Sequence, residues 1–223
     1  MARKESNPIL GKLGQWFPGL AVFAKCLGLM YSKRSMLKQL GYIESVKERR
    51  PCRKDGSPIP WMNYNIISFL EDRLNADMVM FEYGSGNSTQ FYAQHVKELY
   101  SLEKSQEWYD YNVANVPDHV TMMYAETNTG KDYAGMIGLA DRQFNVVVID
   151  AADRIDCVAA SVGCLTDDGV IILDDSSDTR YQRTFESMKD KGFRRLDFEG
   201  LKPAGIRAYR SSVFYRPDNC LGI

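Results

Sequence analysis

Residues 78–95, Met-Val-Met-Phe-Glu-Tyr-Gly-Ser-Gly-Asn-Ser-Thr-Gln-Phe-Tyr-Ala-Gln-His, decide the fold. Met78 to Glu82 is a short, nearly continuous apolar run, the pattern of a strand buried on both faces. It leads into Tyr83-Gly84-Ser85-Gly86-Asn87-Ser88-Thr89, after which Ser88 to His95 has helical character. Glycines at such a turn let the main chain bend sharply and let a ligand approach it closely. A second strand, Glu98 to Leu102, ends at Glu103, 17 residues beyond Gly86. An acid at that place in a doubly wound sheet accepts the hydroxyls of a ribose. The order strand, Gly-x-Gly, helix, strand, acid therefore points to a ligand containing a nucleoside.

Downstream the alternation continues. Ser105 to Val113 reads as a helix, Val120 to Tyr124 and Asn145 to Ile149 as strands, Cys157 to Leu165 as a helix, Val170 to Leu173 as a strand, and Tyr181 to Lys189 as a helix. Continuous apolar strands alternating with helices predict a parallel sheet covered on both faces. The last two strands, Phe193 to Phe198 and Arg207 to Tyr215, are joined only by a turn around Gly200 to Gly205. That connection is too short for a crossover helix, so the sheet should end in an antiparallel hairpin.

Upstream, Asn65 to Leu74 places Ile66, Ile67, Leu70 and Leu74 at helical spacing, with Asn63 as its cap. Before it come helical stretches at Leu20 to Met30 and Ser35 to Lys47 and a turn-rich segment, Arg49 to Pro60. The expected organisation is a basic helical extension or lid over residues 1–60, followed by an α/β body over 61–223.

Composition narrows the function classes. The 223 residues are 44% hydrophobic and 26% charged, with a net charge of -1, which excludes a disordered or collagen-like chain and argues against a protein devoted to nucleic acid. The charge is unevenly placed. Residues 1–54 hold 12 Lys or Arg against Glu5, Glu44 and Glu48, an excess of nine, so the remainder carries -10. A basic segment on an acidic body suits an anionic partner: a lipid surface met peripherally, a phosphorylated substrate, or the body itself. The five cysteines have no metal-like spacing and read as reduced thiols of a cytoplasmic protein. The apolar stretch Trp16 to Tyr31 is broken by Pro18 and carries Lys25, so it is too short to span a bilayer but suits an interfacial or core-covering helix.

Two nucleoside cofactors suit the glycine loop. A dinucleotide fold carries a third glycine where this chain has Thr89, which disfavours NAD and an oxidoreductase. S-adenosylmethionine has a ribose but no phosphate and needs only the loop and the acid. Residues 61–216 resemble the class I S-adenosylmethionine-dependent methyltransferases, whose seven-stranded sheet ends in an antiparallel hairpin. Glu82, Gly84, Ser85, Gly86, Asn87 and Ser88 look like that family's first motif, and Glu103 matches its ribose acid. Glu126, beside Ala125, sits where the adenine is contacted. Asp150 matches the motif near the methionine end and the acceptor. The stretch Pro60-Trp61-Met62-Asn63-Tyr64 looks like an element leading into the body in bacterial members, which sets Trp61 and Tyr64 beside the pocket.

Asp150 ends one strand and Asp174-Asp175 end the next, so their carboxylates should converge at the carboxyl edge of the sheet. Hard oxygen ligands suit Mg2+ or another divalent cation. The pattern is similar to metal-dependent O-methyltransferases of the catechol and caffeoyl-CoA type. It departs from them where they have a lysine three residues after the first aspartate: this chain has Asp153 there, then Arg154. The alternative is that Asp150 orients cofactor or acceptor while Asp174 and Asp175 cap the following segment. The resemblance implies transfer of a methyl group to an oxygen of a small-molecule or glycan-like acceptor, with Asp150 as the catalytic residue and Arg154 near the acceptor. A non-catalytic nucleoside-binding protein of the same fold is the other reading.

Overall fold

The computed structural model describes residues 18–126 and 130–223. The first 17 residues of the extension, including Trp16 of the apolar stretch, lie outside them. Seven strands form one sheet: β1 (Val79–Tyr83), β2 (Glu98–Glu103), β3 (Val120–Tyr124), β4 (Phe144–Ile149), β5 (Leu165–Leu173), β6 (Arg194–Leu201) and β7 (Ala208–Tyr215). Their order is β3-β2-β1-β4-β5-β7-β6. The first five are parallel, while β7 runs antiparallel to both β5 and β6. This is the doubly wound architecture with a terminal hairpin that the alternation predicts.

The strands earn their place by side-chain alternation. Phe81, Tyr83, Leu102, Val147, Ile149, Ile171 and Leu173 point into one core, under the helices Arg154–Ser161 and Gln182–Asp190. Met80, Leu99, Val146, Val148, Val170, Ile172 and Val213 point into the other, under the helices Tyr64–Glu71 and Asn87–Ala93. With both faces covered, nearly every position of β4 and β5 past their first residues must be apolar, which is why those strands read as continuous runs. Strand order reverses between β1 and β4, which opens a crevice at their carboxyl ends, where ligands of such sheets bind.

The segment before β1 is fastened at its far end to the hairpin. Asn63 caps its helix, accepting from Ile66 N at 3.1 Å, and donates through Nδ2 to Phe198 O and Ser211 Oγ. Tyr42 donates to Gly205 O and Trp61 Nε1 to Pro203 O. Asn87, on the glycine loop, donates to Pro51 O. These bonds hold residues 49–61 over the carboxyl edge of the sheet.

Three elements differ from the sequence reading. The stretch Ser35 to Lys47 is two short helices, Met36–Gln39 and Tyr42–Glu48, because the chain turns at Gly41 with φ 83. The helix expected at Cys157 to Leu165 begins one turn earlier, at Arg154, and β5 starts at Leu165, pairing with Phe144 before a register shift. Between β3 and β4 lies a helix, Gly130–Gly135, followed by a 3-10 turn, Met136–Ala140, for which no element is expected. Three glycines there dilute the apolar periodicity, yet Tyr133, Ala134 and Ile137 are buried.

Candidate active site

Gly84 adopts φ 91, and a Cβ there would stand 2.6 Å from the main-chain oxygen of Asp150. Only glycine lets the loop after β1 lie this close to the end of β4. Gly86 adopts φ 148, and a Cβ there would meet no protein atom within 4 Å. The main chain at Gly86 thus faces open space.

Beneath the loop Glu82 is buried, and its Oε2 accepts from Thr89 Oγ1 at 2.7 Å and Ser101 Oγ at 2.8 Å. Thr89 Oγ1 in turn accepts from Gly86 N at 3.0 Å. A relay from Gly86 through Thr89 to Glu82 therefore sets the loop's shape. Thr89 fills, with a buried side chain, the helix-to-strand contact that the third glycine of a dinucleotide fold leaves open. Burial pushes the Glu82 carboxyl up to about 7, against hydrogen bonds from Ser88, Thr89 and Ser101.

Glu103 ends β2 beside this loop, nearly buried, with both oxygens engaged. Oε2 accepts from Ser85 N at 3.0 Å and Ser85 Oγ at 2.5 Å, and Oε1 accepts from Lys104 N at 2.9 Å and Ser105 N at 2.8 Å. Asn112 donates to the same Ser85 hydroxyl, while its own buried Oδ1 has no partner among the described residues. A carboxylate offers about four acceptor positions, so a hydroxyl arriving at Glu103 must displace the Ser85 hydroxyl.

A cavity of ≈ 300 Å³ opens at this edge. Ser85, Gly86, Asn87 and Ser88 line it from the loop, Trp108 from the helix Gln106–Asn115, Asp150 from the end of β4, and Arg49, Arg50, Pro51 and Trp61 from the segment before the body. A larger hollow of ≈ 700 Å³ lies between the helix Gln182–Asp190 and the hairpin. It holds none of the strand-end acids, and the smaller cavity is the candidate site on chemistry.

The acids on β4 and β5 come together. Asp150, Asp174 and Asp175 each bring a carboxylate oxygen within 4.8 Å of the others. Two cations stand among them. Lys202, from the turn of the hairpin, bonds Asp174 Oδ2 at 2.6 Å and pairs with Asp175 Oδ1 at 2.7 Å. Arg154 bonds Asp150 Oδ1 at 2.6 Å and approaches Asp175 Oδ2 at 3.6 Å. Ser211 Oγ completes Asp174 at Oδ1. Burial, then the neighbouring Asp150, push Asp174 up to about 6 against the pull of Lys202. Burial draws Lys202 downward, but the two carboxylates outweigh it and hold the ammonium above the ordinary lysine value.

Glu82, Gly84, Glu103, Arg154, Asp174 and Asp175 stand beside lining residues without lining the cavity, and two further expected positions fall elsewhere. Tyr64 is buried in the core, its hydroxyl has no partner among the described residues, and burial pushes it up to about 12; it does not line the cavity. Glu126 is exposed at the end of β3, next to residues 127–129, outside the described set, and is not a lining residue. Conversely, the sequence reading singles out neither Lys202 nor Arg49, Arg50 or Asn112. All five cysteines are free.

No protein-family model matches the chain, and no curated protein matches it by sequence. Solved structures match the fold. A precorrin-6y C5,15-methyltransferase from Geobacter metallireducens GS-15 aligns with TM-score 0.50 and 16% identity, over 68% of this chain and 86% of that one. A methyltransferase from Pyrococcus furiosus aligns with TM-score 0.51 and 14% identity, over 70% and 82%. An O-methyltransferase from Bacillus cereus, solved with SAH, aligns with TM-score 0.50 and 20% identity, over 62% and 74%. The chain has the fold of the class I S-adenosylmethionine-dependent methyltransferases.

Proposed function

We propose that the protein is an S-adenosylmethionine-dependent methyltransferase acting on an oxygen of a small-molecule or glycan-like acceptor. One observation carries the reading: the open main chain at Gly86 and the carboxylate of Asp150 line one cavity of ≈ 300 Å³ at the edge of the sheet, and the strand-end acid Glu103 stands directly behind its lining residue Ser85. That size lies at the lower end of small-ligand pockets. The residues fit the cofactor, since Gly86 leaves room where a side chain would intrude and the loop carries no pyrophosphate fingerprint.

When bound, S-adenosylmethionine supplies an electrophilic methyl group on a sulfonium. Glu103 would hold the ribose hydroxyls in exchange for the Ser85 hydroxyl, and Ser85 to Ser88 would offer donors along the loop. Asp150, held at Oδ1 by Arg154, orients the acceptor hydroxyl and takes its proton. Arg49 and Arg50, with the exposed faces of Trp61 and Trp108, suit an acceptor that combines an anionic group with a flat apolar face. Arg154 acts through Asp150 as a positioning residue.

A divalent cation does not fit the aspartate cluster as it stands. Lys202 and Arg154 already occupy the inward oxygens of Asp150, Asp174 and Asp175, and a metal would have to expel a buried ammonium. We assign Asp174 and Asp175 a structural and positioning role beside Asp150, with Lys202 supplying the charge that a metal would.

Calorimetry with S-adenosylmethionine and NAD, followed by transfer of labelled methyl to an acceptor panel, tests the reading. Binding of the first and not the second, with transfer unaffected by excess EDTA, is expected; binding of NAD alone rejects it. Glu103→Ala should weaken S-adenosylmethionine binding by roughly 1.5–3 kcal/mol, the scale of hydrogen bonds to a charged acceptor. An unchanged dissociation constant in the folded variant removes Glu103 from the cofactor site.

A further inference from the structure

The helix Pro18–Tyr31 has no buried residue. Leu20, Val22, Phe23, Leu29 and Tyr31 are each at least half exposed, and Leu27 and Met30 are more than a third exposed. None of its residues lines the cavity over the glycine loop; that part of the extension's role falls to Arg49, Arg50 and Pro51. A helix this short gains most of its stability by packing an apolar face against something, and the body does not provide that surface.

We propose that this helix docks on the surface of an anionic lipid bilayer, lying in the interface. Its 14 residues carry a single charge, Lys25, whose aliphatic stem can follow an apolar surface while the ammonium reaches water. At 1.5 Å per residue it is about 21 Å long, short of the ~30 Å hydrocarbon core. Among the described residues no helix is long and apolar enough to cross a membrane. The helix therefore lies on the bilayer.

Charge selects the occupant. From Ser6 to Ile43 the sequence contains no Asp or Glu and carries Lys12, Lys25, Lys33, Arg34 and Lys38. Lys33, Arg34 and Lys38 follow the helix directly, where anionic headgroups would meet them. A second copy docked helix against helix would cover the same apolar side chains but would bring the two basic segments together. The helix is also anchored to the fold: Ser35 Oγ donates to Leu29 O, and Lys38 Nζ to Tyr31 O at 3.1 Å, so carbonyls of its last turn are satisfied from the following segment. The docked helix would thus hold the body beside the bilayer.

Co-sedimentation of the full chain with phosphatidylcholine vesicles, with and without phosphatidylserine, tests this. Partitioning should be at least about tenfold stronger with phosphatidylserine and should fall with added salt. Phe23→Asp with Leu27→Asp should reduce it on the order of a hundredfold without moving the thermal unfolding midpoint, because neither side chain is buried in the body. Lys33→Glu, Arg34→Glu and Lys38→Glu together should remove the preference for the anionic vesicles and leave the weaker apolar partitioning. Absence of vesicle binding by the natural chain overturns the proposal, as does binding that both sets of substitutions leave unchanged. So does a concentration-dependent dimer in ultracentrifugation that Phe23→Asp dissociates while vesicles go unbound, for then the occupant is a second copy.

Discussion

Replacing Asp174 with alanine is expected to destabilise the fold by about 3 kcal/mol, the lower end of the cost of breaking a buried charge pair, because Lys202 keeps Asp175. Asp174 has no exposed surface, and Lys202 little. The variant would leave the Lys202 ammonium with Asp175 alone and strip Ser211 of its acceptor. Lys202→Met should cost a comparable amount for the opposite reason: Asp150, Asp174 and Asp175 would then have only Arg154 among them. The double variant should recover part of the loss, with a coupling of roughly 0.5–3 kcal/mol between the positions. Urea unfolding of the four proteins at neutral pH measures the cycle. Strictly additive losses would show that Lys202 and Asp174 do not act as a pair, and the proposal that Lys202 fills the place of a metal would fall with them.

That pair also marks where sequence reading stops. The glycine loop and Glu103 are legible because everything that defines them is local: an apolar run, two glycines, a helix, another run and an acid, within 26 residues from Met78 to Glu103. The convergence of Asp150 with Asp174 and Asp175 follows from topology alone, since all three stand at ends of neighbouring parallel strands. Lys202 is different. It reaches Asp174 from 28 residues away, out of a Gly-Leu-Lys-Pro-Ala-Gly stretch whose local meaning is only a turn. Arg49 and Arg50 are hidden in the same way, in a segment that reads as a turn and is held at the cavity by contacts distant in sequence, among them Asn87 to Pro51 and Trp61 to Pro203. Tyr64 shows the converse error. Its place in a recognisable stretch suggested the pocket, but the helix capped by Asn63 turns its ring into the core.

The second large effect concerns Glu82, and its sign runs against the usual behaviour of a carboxylate. Burial holds its pKa at about 7 in the folded protein, against 4.5 for the free side chain. Below pH 4.5 the acid is protonated in both states, and the fold has the full stability of a neutral, hydrogen-bonded group. As pH rises from 4.5 to 7 the unfolded chain ionises while the folded one keeps its proton, so the folded state binds more protons and stability falls. Above 7 the loss is complete, on the order of 3 kcal/mol. Glu82→Gln keeps the shape and an oxygen for Thr89 and Ser101 but cannot ionise, so it should escape this loss. The variant should match the natural chain near pH 4 and unfold at a higher urea concentration at pH 8. Asp174, also raised, titrates in part of the same window, but it does so in both proteins and cancels in the difference. A difference that is flat across pH 4–8 would mean that Glu82 titrates in the fold where it does in the unfolded chain, near 4.5, and is ionised at neutral pH. The relay from Gly86 through Thr89 would then end on a carboxylate, and the loop it shapes would be anchored by a charge-assisted hydrogen bond in place of a neutral one.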